Sequence, residues 1–395
     1  MKLEQAIAAQ KPLVQKLLDG VAAIGADPPG ITRDAYGRGE NEAHDLIRKA
    51  GEALGMRASI DAGANLSLCL AAENTEAPPI VIGSHLDSIV QGGNFDGAAG
   101  VIAGIAAVAA LRAAGITPRR DVEVLALRCE EAVWFGLGLI GSRCMLARLP
   151  QGALELRHAR TGKTLAESIA LAGGDPEQLQ QGKPLRDPAG IGAYLEIHIE
   201  QAPQLIEAGM PVAICLANPG NLRHPFIRIT GEDAHTGLPH RFRRDAALAG
   251  ADLSLCLEKL WLEEEAAGRP MAVTIGRFHT PAERHSLTAV SGEFELSLDL
   301  RAYDAAHLVA LEAKLQAIVA EVAARRRVTI TLGERSSAAP GLMDPTLMAG
   351  FAEAATAGGI PVARLHSPGT HDANNSAAAG VKTGMLLVRN QNGSH

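Results

Sequence analysis

Residues Val81–Gly100 read VIGSHLDSIVQGGNFDGAAG. A short apolar run stops at a histidine, and an aspartate follows two residues later. A second aspartate, Asp96, comes after a stretch broken by glycines. The run Ile80–Gly83 has no polar alternation, which predicts a strand buried on both faces. Such strands belong to sheets with helices on either side. Ligands of open α/β sheets gather beyond the carboxyl ends of their strands, so His85, Asp87 and Asp96 fall where chemistry is expected.

Working outward, the same pattern recurs. Asn41–Leu54 carries apolar residues at 43, 46, 47, 50 and 54, a helical spacing, and Ala98–Ala114 predicts a second helix. Val122–Leu127, Ala193–Ile197, Val212–Cys215 and Met385–Val388 predict further buried strands. The fold class is therefore α/β, with a mainly parallel sheet covered by helices on both faces, over residues 1–215 and 335–395. Residues 216–334 have another rhythm. Strands are predicted at Phe226–Thr230, Met271–Phe278, Glu293–Leu300 and Val328–Leu332, with helices at Arg243–Trp261 and Ala305–Ala323. The order β-α-β-β-α-β predicts an inserted ferredoxin-like α+β domain.

The chain has 395 residues and a net charge of −7; 47% of it is hydrophobic but only 3% aromatic, so the core is expected to be aliphatic. Mild acidity with scattered arginines argues against a nucleic-acid partner. Five cysteines stand far apart with no Cys-x-x-Cys, which fits a reducing, cytoplasmic setting. No signal-peptide core opens the sequence and no uncharged apolar run reaches about 18 residues, so no membrane span is expected.

Four strand ends carry metal-type donors: His85, Asp87 and Asp96; Glu130 and Glu131; His198 and Gln201; and His395. One such coincidence is cheap, but four are not. The donors are nitrogen and oxygen with no thiolate, which suits Zn²⁺, Mn²⁺, Co²⁺ or Ni²⁺. His85 and Asp87 share one side of an extended strand, so one can ligate while the other holds its partner in place. Of the adjacent Glu130 and Glu131, one can ligate and the other can take a proton from the attacking water.

Seven motifs together resemble the amidase, hydantoinase/carbamoylase family of the M20-type metallopeptidase clan. They are GSHLDSIVQGGNFDG, CEEAVWFG, EIHIEQAP, DAHTGLPHRFRRDA, SLDLR, GTHDA and NGSH. Members of that family include N-carbamoyl-L-amino-acid hydrolases, β-ureidopropionases and allantoate amidohydrolases. The resemblance implies two divalent ions per subunit, Zn²⁺ first and Mn²⁺, Co²⁺ or Ni²⁺ otherwise. His85 and His198 would hold one, Glu131 and His395 the other, and Asp96 would bridge them. It also implies that Glu130 is the general base, that Asp87 orients His85, and that His235 polarises the scissile carbonyl. Gln201, His235, Thr288, Arg301, Gly369 and His371 match substrate-contacting positions, with Arg301 gripping a carboxylate. The inserted domain would act as a lid and form a homodimer. The substrate implied is a small ureido or amide acid; an aminoacylase or dipeptidase would share the metal site, and a binding homologue without catalysis would share the fold. Three departures from the family pattern stand out: Ala132-Val133-Trp134-Phe135 after the acid pair, Thr288 in place of an asparagine, and Pro239-His240 in a shortened loop. His395 ends the sequence where the family pattern continues into a helix, so it is expected to be held loosely.

Overall fold

Eight strands of the computed structural model share one mixed sheet, built from described residues 1–73 and 76–391. Across the sheet they run Val362–Leu365, Val212–Cys215, Thr383–Val388, Ala193–Ile199, Ile80–His85, Val122–Leu127, Leu66–Leu70 and Arg57–Ile60. The centre is parallel: Ile80–His85 pairs in parallel with Val122–Leu127 and with Ala193–Ile199, which pairs in parallel with Thr383–Val388. The flanks add antiparallel pairs that were not predicted. Leu66–Leu70 is antiparallel to both its neighbours, and Val212–Cys215 is antiparallel to Thr383–Val388. Arg57–Ile60 and Leu66–Leu70 are joined by a short turn, and two strands so joined can only be antiparallel. These two strands were not predicted, although Leu66, Leu68 and Leu70 alternate inward.

Both faces of the sheet are covered. Along Val122–Leu127, Val124 and Ala126 pack with the helices Arg38–Ala53 and Ala98–Ala114, while Leu125 and Leu127 pack on the opposite side with Met145, Tyr194 and Met385. That two-sided burial explains the unbroken apolar runs in the sequence. The helix Ala98–Ala114 lies close enough that a Cβ on Gly100 would sit 2.2 Å from the Ile197 carbonyl oxygen. Among the described residues no helix is long and apolar enough to cross a membrane.

The chain divides into two compact units, Met1–Asn218 with Gly341–His395, and Pro219–Pro340. In the second unit the strands lie in the order Met271–Thr274, Glu293–Ala302, Gly220–Thr230, Thr329–Thr331, all antiparallel. Helices Ala246–Ala266 and Ala305–Arg326 pack on one face through Leu253, Leu257, Leu311 and Leu315. The predicted strand Met271–Phe278 breaks into Met271–Thr274 and Phe278–His279. Register along Gly220–Thr230 shifts between His224 and Ile227, across Pro225, which has no N–H to give the ladder.

One buried charge ties the two helices of this unit together. Glu264 is 1% exposed and its carboxylate accepts from Arg269, Lys314 and His307, the last at 2.9 Å. The Arg269 bond above all, then those of Lys314 and His307, lowers its pKa to about 2 against the opposing effect of burial. An unfolded glutamate titrates near 4.5. The stabilisation is therefore complete above that pH and is lost as pH falls towards 2. Glu264→Gln is expected to cost about 1–3 kcal/mol at pH 7, and the deficit should shrink at pH 3. Denaturant melts of both proteins at the two pH values check this; a deficit independent of pH would contradict it.

Candidate metal centre and acid pair

His85 is the last residue of its strand and His198 lies near the end of the parallel neighbour, so both imidazoles emerge at the same edge of the sheet. Their Nε2 atoms are 3.4 Å apart. Asp96 Oδ1 is 2.9 Å from His198 Nε2 and 3.7 Å from His85 Nε2. All three residues are buried. Asp96 arrives on the glycine-rich loop, and Gly97 has φ +62° with room for no Cβ: one would lie 2.4 Å from the His85 ring. Glycine is required there both for its backbone angle and for its lack of bulk.

The opposite ring nitrogens have acceptors of their own. His85 Nδ1 lies 3.2 Å from the Asp87 carbonyl oxygen and 3.2 Å from its carboxylate, and His198 Nδ1 lies 3.0 Å from the Ile199 carbonyl oxygen. In the tautomer with Nδ1–H donating to these acceptors, both Nε2 atoms are left to act as ligands beside the Asp96 oxygen. A divalent cation could be ligated by all three atoms at once. The donor set, two imidazoles and a carboxylate, fits a divalent ion of the zinc group. His85, Asp96 and His198 form such a group, with ligand atoms all within 4.8 Å of one another; Glu131 is not part of it among the described residues.

Behind this cluster, Asp87 does more than hold His85. Its two oxygens accept from the backbone N–H groups of Glu130 and Glu131, each at 3.0 Å. It thereby fixes the turn that follows Val122–Leu127. Carboxylates crowd this place. Burial first, then the Glu131, Asp372 and Asp87 charges, against the opposing His85, raise Glu130 well above the usual carboxylate range. Burial, opposed by His85 and reinforced by Asp96 and Asp87, brings Glu131 to about 8. Burial alone would lower the His85 pKa, but the surrounding carboxylates, Asp87 foremost, overcome it and raise it. Excess buried negative charge of this kind is what a divalent cation offsets.

The remaining predicted residues of this unit lie around the cluster. Gln201, with φ +59°, donates from Nε2 to Asp96 Oδ2 at 3.3 Å. A Cβ on Gly369 would sit 2.6 Å from Gln201 Oε1. The His371 ring packs 4.1 Å from that of His198 and its Nε2 lies 2.7 Å from Ser367 Oγ. In the second unit, His235 and Thr288 are neighbours. Ala234–His235 pairs with Ala289–Val290, and Thr236 N–H donates to the Thr288 carbonyl at 2.8 Å. His235 is exposed and its Nδ1 accepts from Gly237 N–H. Arg301 is held by Asp299 at 3.0 Å, which also accepts from Arg223. His395 lies outside the described residues.

Several supporting residues escaped the sequence reading. Fully buried Arg33 donates to the Leu86 carbonyl at 2.6 Å and to Asn94 Oδ1 at 3.1 Å, tying the His85–Asp87 segment to the loop that carries Asp96. Trp134, one of the departures from the family pattern, donates to the Ser88 carbonyl at 2.9 Å and stacks on His158. Glu40 and Arg128 form a buried pair at 2.9 Å beneath the acid pair's turn. A charged residue in an otherwise helical or strand pattern gives no local sign that it is buried.

Residues 81–395 match the model of peptidase family M20/M25/M40. The chain belongs to that family. Over 383 residues this M20 member is 33% identical to an N-carbamoyl-L-amino acid amidohydrolase of Geobacillus stearothermophilus, covering 96% of this chain and 91% of that one. It is 28% identical to allantoate deiminase 1 of Glycine max, over 89% of this chain and 77% of the other. Among solved structures, a hydantoinase/carbamoylase family amidase from Burkholderia ambifaria superposes with a TM-score of 0.84 at 30% identity, covering 97% of this chain and 92% of that one. The resemblance carried by the seven motifs is thus upheld along nearly the whole chain, and the mixed α/β fold is shared.

Proposed function

We propose that this M20 family member is a divalent-metal-dependent hydrolase of linear C–N bonds in small ureido or amide acids, of the N-carbamoyl-L-amino-acid or allantoate class. The observation that carries the reading is the convergence of His85, Asp96 and His198 on one point, with the Glu130–Glu131 turn pinned to the same Asp87 that holds His85. The names of the relatives support the substrate class. Zinc, or manganese, cobalt or nickel, held by His85, Asp96 and His198 supplies Lewis-acid polarisation and lowers the pKa of water. Glu131 and His395 are the donors assigned to a second ion.

In this reading Glu130 takes a proton from the attacking water and passes it to the leaving nitrogen. Burial above all raises its pKa, which makes it a stronger proton acceptor than an exposed glutamate. Asp87 keeps the His85 ring and the Glu130 backbone in register. Gln201, already bonded to Asp96, sits beside the reacting centre with Gly369 and His371. Arg301 is assigned to the substrate carboxylate, which its planar fork suits. His235 stabilises the developing oxyanion, with Thr288 beside it. The second unit serves as a ferredoxin-like lid and as the surface of a homodimer, and the enzyme works in the cytoplasm. A carbamoyl substrate would yield an amino acid, ammonia and carbon dioxide.

Metal removal and a substrate panel test this. Chelated enzyme is expected to lose turnover and to regain it on adding a divalent ion. The restored enzyme should release ammonia from N-carbamoyl-L-amino acids or allantoate. Comparable turnover of dipeptides or N-acetyl amino acids without ammonia would replace the ureidase by a peptidase or aminoacylase. Full activity after complete metal removal would reject the proposal.

A further inference from the structure

We propose that Glu40 is a positioning residue for the Glu130–Glu131 pair, acting on the backbone that carries them; this rests on the function proposed above. Glu40 lies in the helix Arg38–Ala53 and is fully buried. Its Oε1 accepts from Cys129 N–H at 3.0 Å. Its Oε2 accepts from Tyr36 N–H at 2.6 Å and from Arg128 Nη1 at 2.9 Å. Asp87 takes the next two amides, those of Glu130 and Glu131. Three consecutive N–H groups therefore each donate to a buried carboxylate, and the two carboxylates come from different elements of the fold.

This arrangement has a local purpose. Cys129 has φ +51°, in the left-handed region. A non-glycine residue stays there only where its surroundings over-determine it. Glu40 provides that constraint from one side and Asp87 from the other. Arg128 completes the clamp, since its Nε donates to the Ala64 carbonyl at 3.0 Å, its Nη1 to Asn41 Oδ1 at 2.7 Å, and its own N–H to Asn65 Oδ1 at 3.0 Å. Without Glu40 the Cys129 amide has no acceptor, the turn relaxes towards ordinary backbone, and the Glu130 carboxylate is displaced. Stability alone does not account for the pair, because a buried ion pair adds little over apolar residues of similar shape.

Two variants read the effect. E40Q keeps the shape but offers an NH₂ where an acceptor is needed. Its kcat is expected to fall about 10- to 100-fold with KM changed by less than about twofold, the scale of a small misplacement of a catalytic group. Amide hydrogen exchange should quicken in residues 128–132 and stay slow in the strands Ala193–Ile199 and Thr383–Val388. The double variant E40L/R128M removes both charges, so it should fold stably while its kcat stays low. It carries the test if E40Q fails to fold. Wild-type kcat in either variant, or retained protection at residues 129–131 in E40Q, would overturn the proposal. If the wild-type protein turns over no ureido or amide substrate, the proposed function fails instead, and the exchange pattern alone decides whether Glu40 holds this turn.

Discussion

Asp96→Asn is expected to strip the protein of its metal and to lower kcat/KM by more than about 100-fold, the upper end of what loss of a mere outer partner costs. The reason is geometric. Asp96 Oδ1 is an anionic atom within 4 Å of both imidazole Nε2 atoms of the cluster. An asparagine has nearly the same shape but must choose which atom faces which neighbour. With its oxygen towards the imidazoles it meets Gln201 Nε2 with an NH₂ group. With its oxygen towards Gln201 it meets two lone pairs with NH₂. Either way the negative charge that draws a divalent ion is gone. Elemental analysis of the purified variant, with circular dichroism to establish folding, checks the result. Metal content equal to that of the wild-type protein would show that Asp96 is no ligand.

Glu130→Gln should separate chemistry from metal binding. The side chain keeps its shape, and the backbone N–H of residue 130 still donates to Asp87. Metal content should therefore be retained, while kcat falls about 10²- to 10⁴-fold, the usual worth of a positioned general base. An unchanged rate would remove Glu130 from the mechanism, and loss of metal would reassign it as a ligand. The two variants thus give opposite patterns: Asp96→Asn loses metal and rate together, and Glu130→Gln loses rate alone.

Much of the fold was legible because burial leaves a linear trace. Val122–Leu127, Val212–Cys215 and Ala98–Ala114 have the boundaries their apolar runs predict. The misses have physical causes. Leu66–Leu70 alternates with polar residues and carries a weaker signal than a continuous run. Direction has no local signature, so the antiparallel flanks of the sheet were invisible. Helix Ala246–Ala266 starts three residues later than expected because the Asp245 side chain accepts from Leu248 N–H and caps it there.

The candidate site divides in the same way. His85, Asp96 and His198 could be picked out one by one, because strand ends followed by polar donors are recognisable in sequence and motif spacing ties them to a family. The sequence by itself therefore determined the fold class, the donor types and the family. Only the tertiary structure decided that two imidazoles meet 3.4 Å apart with a carboxylate between them. It alone revealed that Asp87 grips both His85 and the acid pair's backbone, and that Glu40, Arg33 and Arg128 work from the interior. The physical reason is that a residue's type limits what it can bind, whereas its charge environment and hydrogen-bond partners are set by chain segments far away in the sequence. No local pattern records those segments.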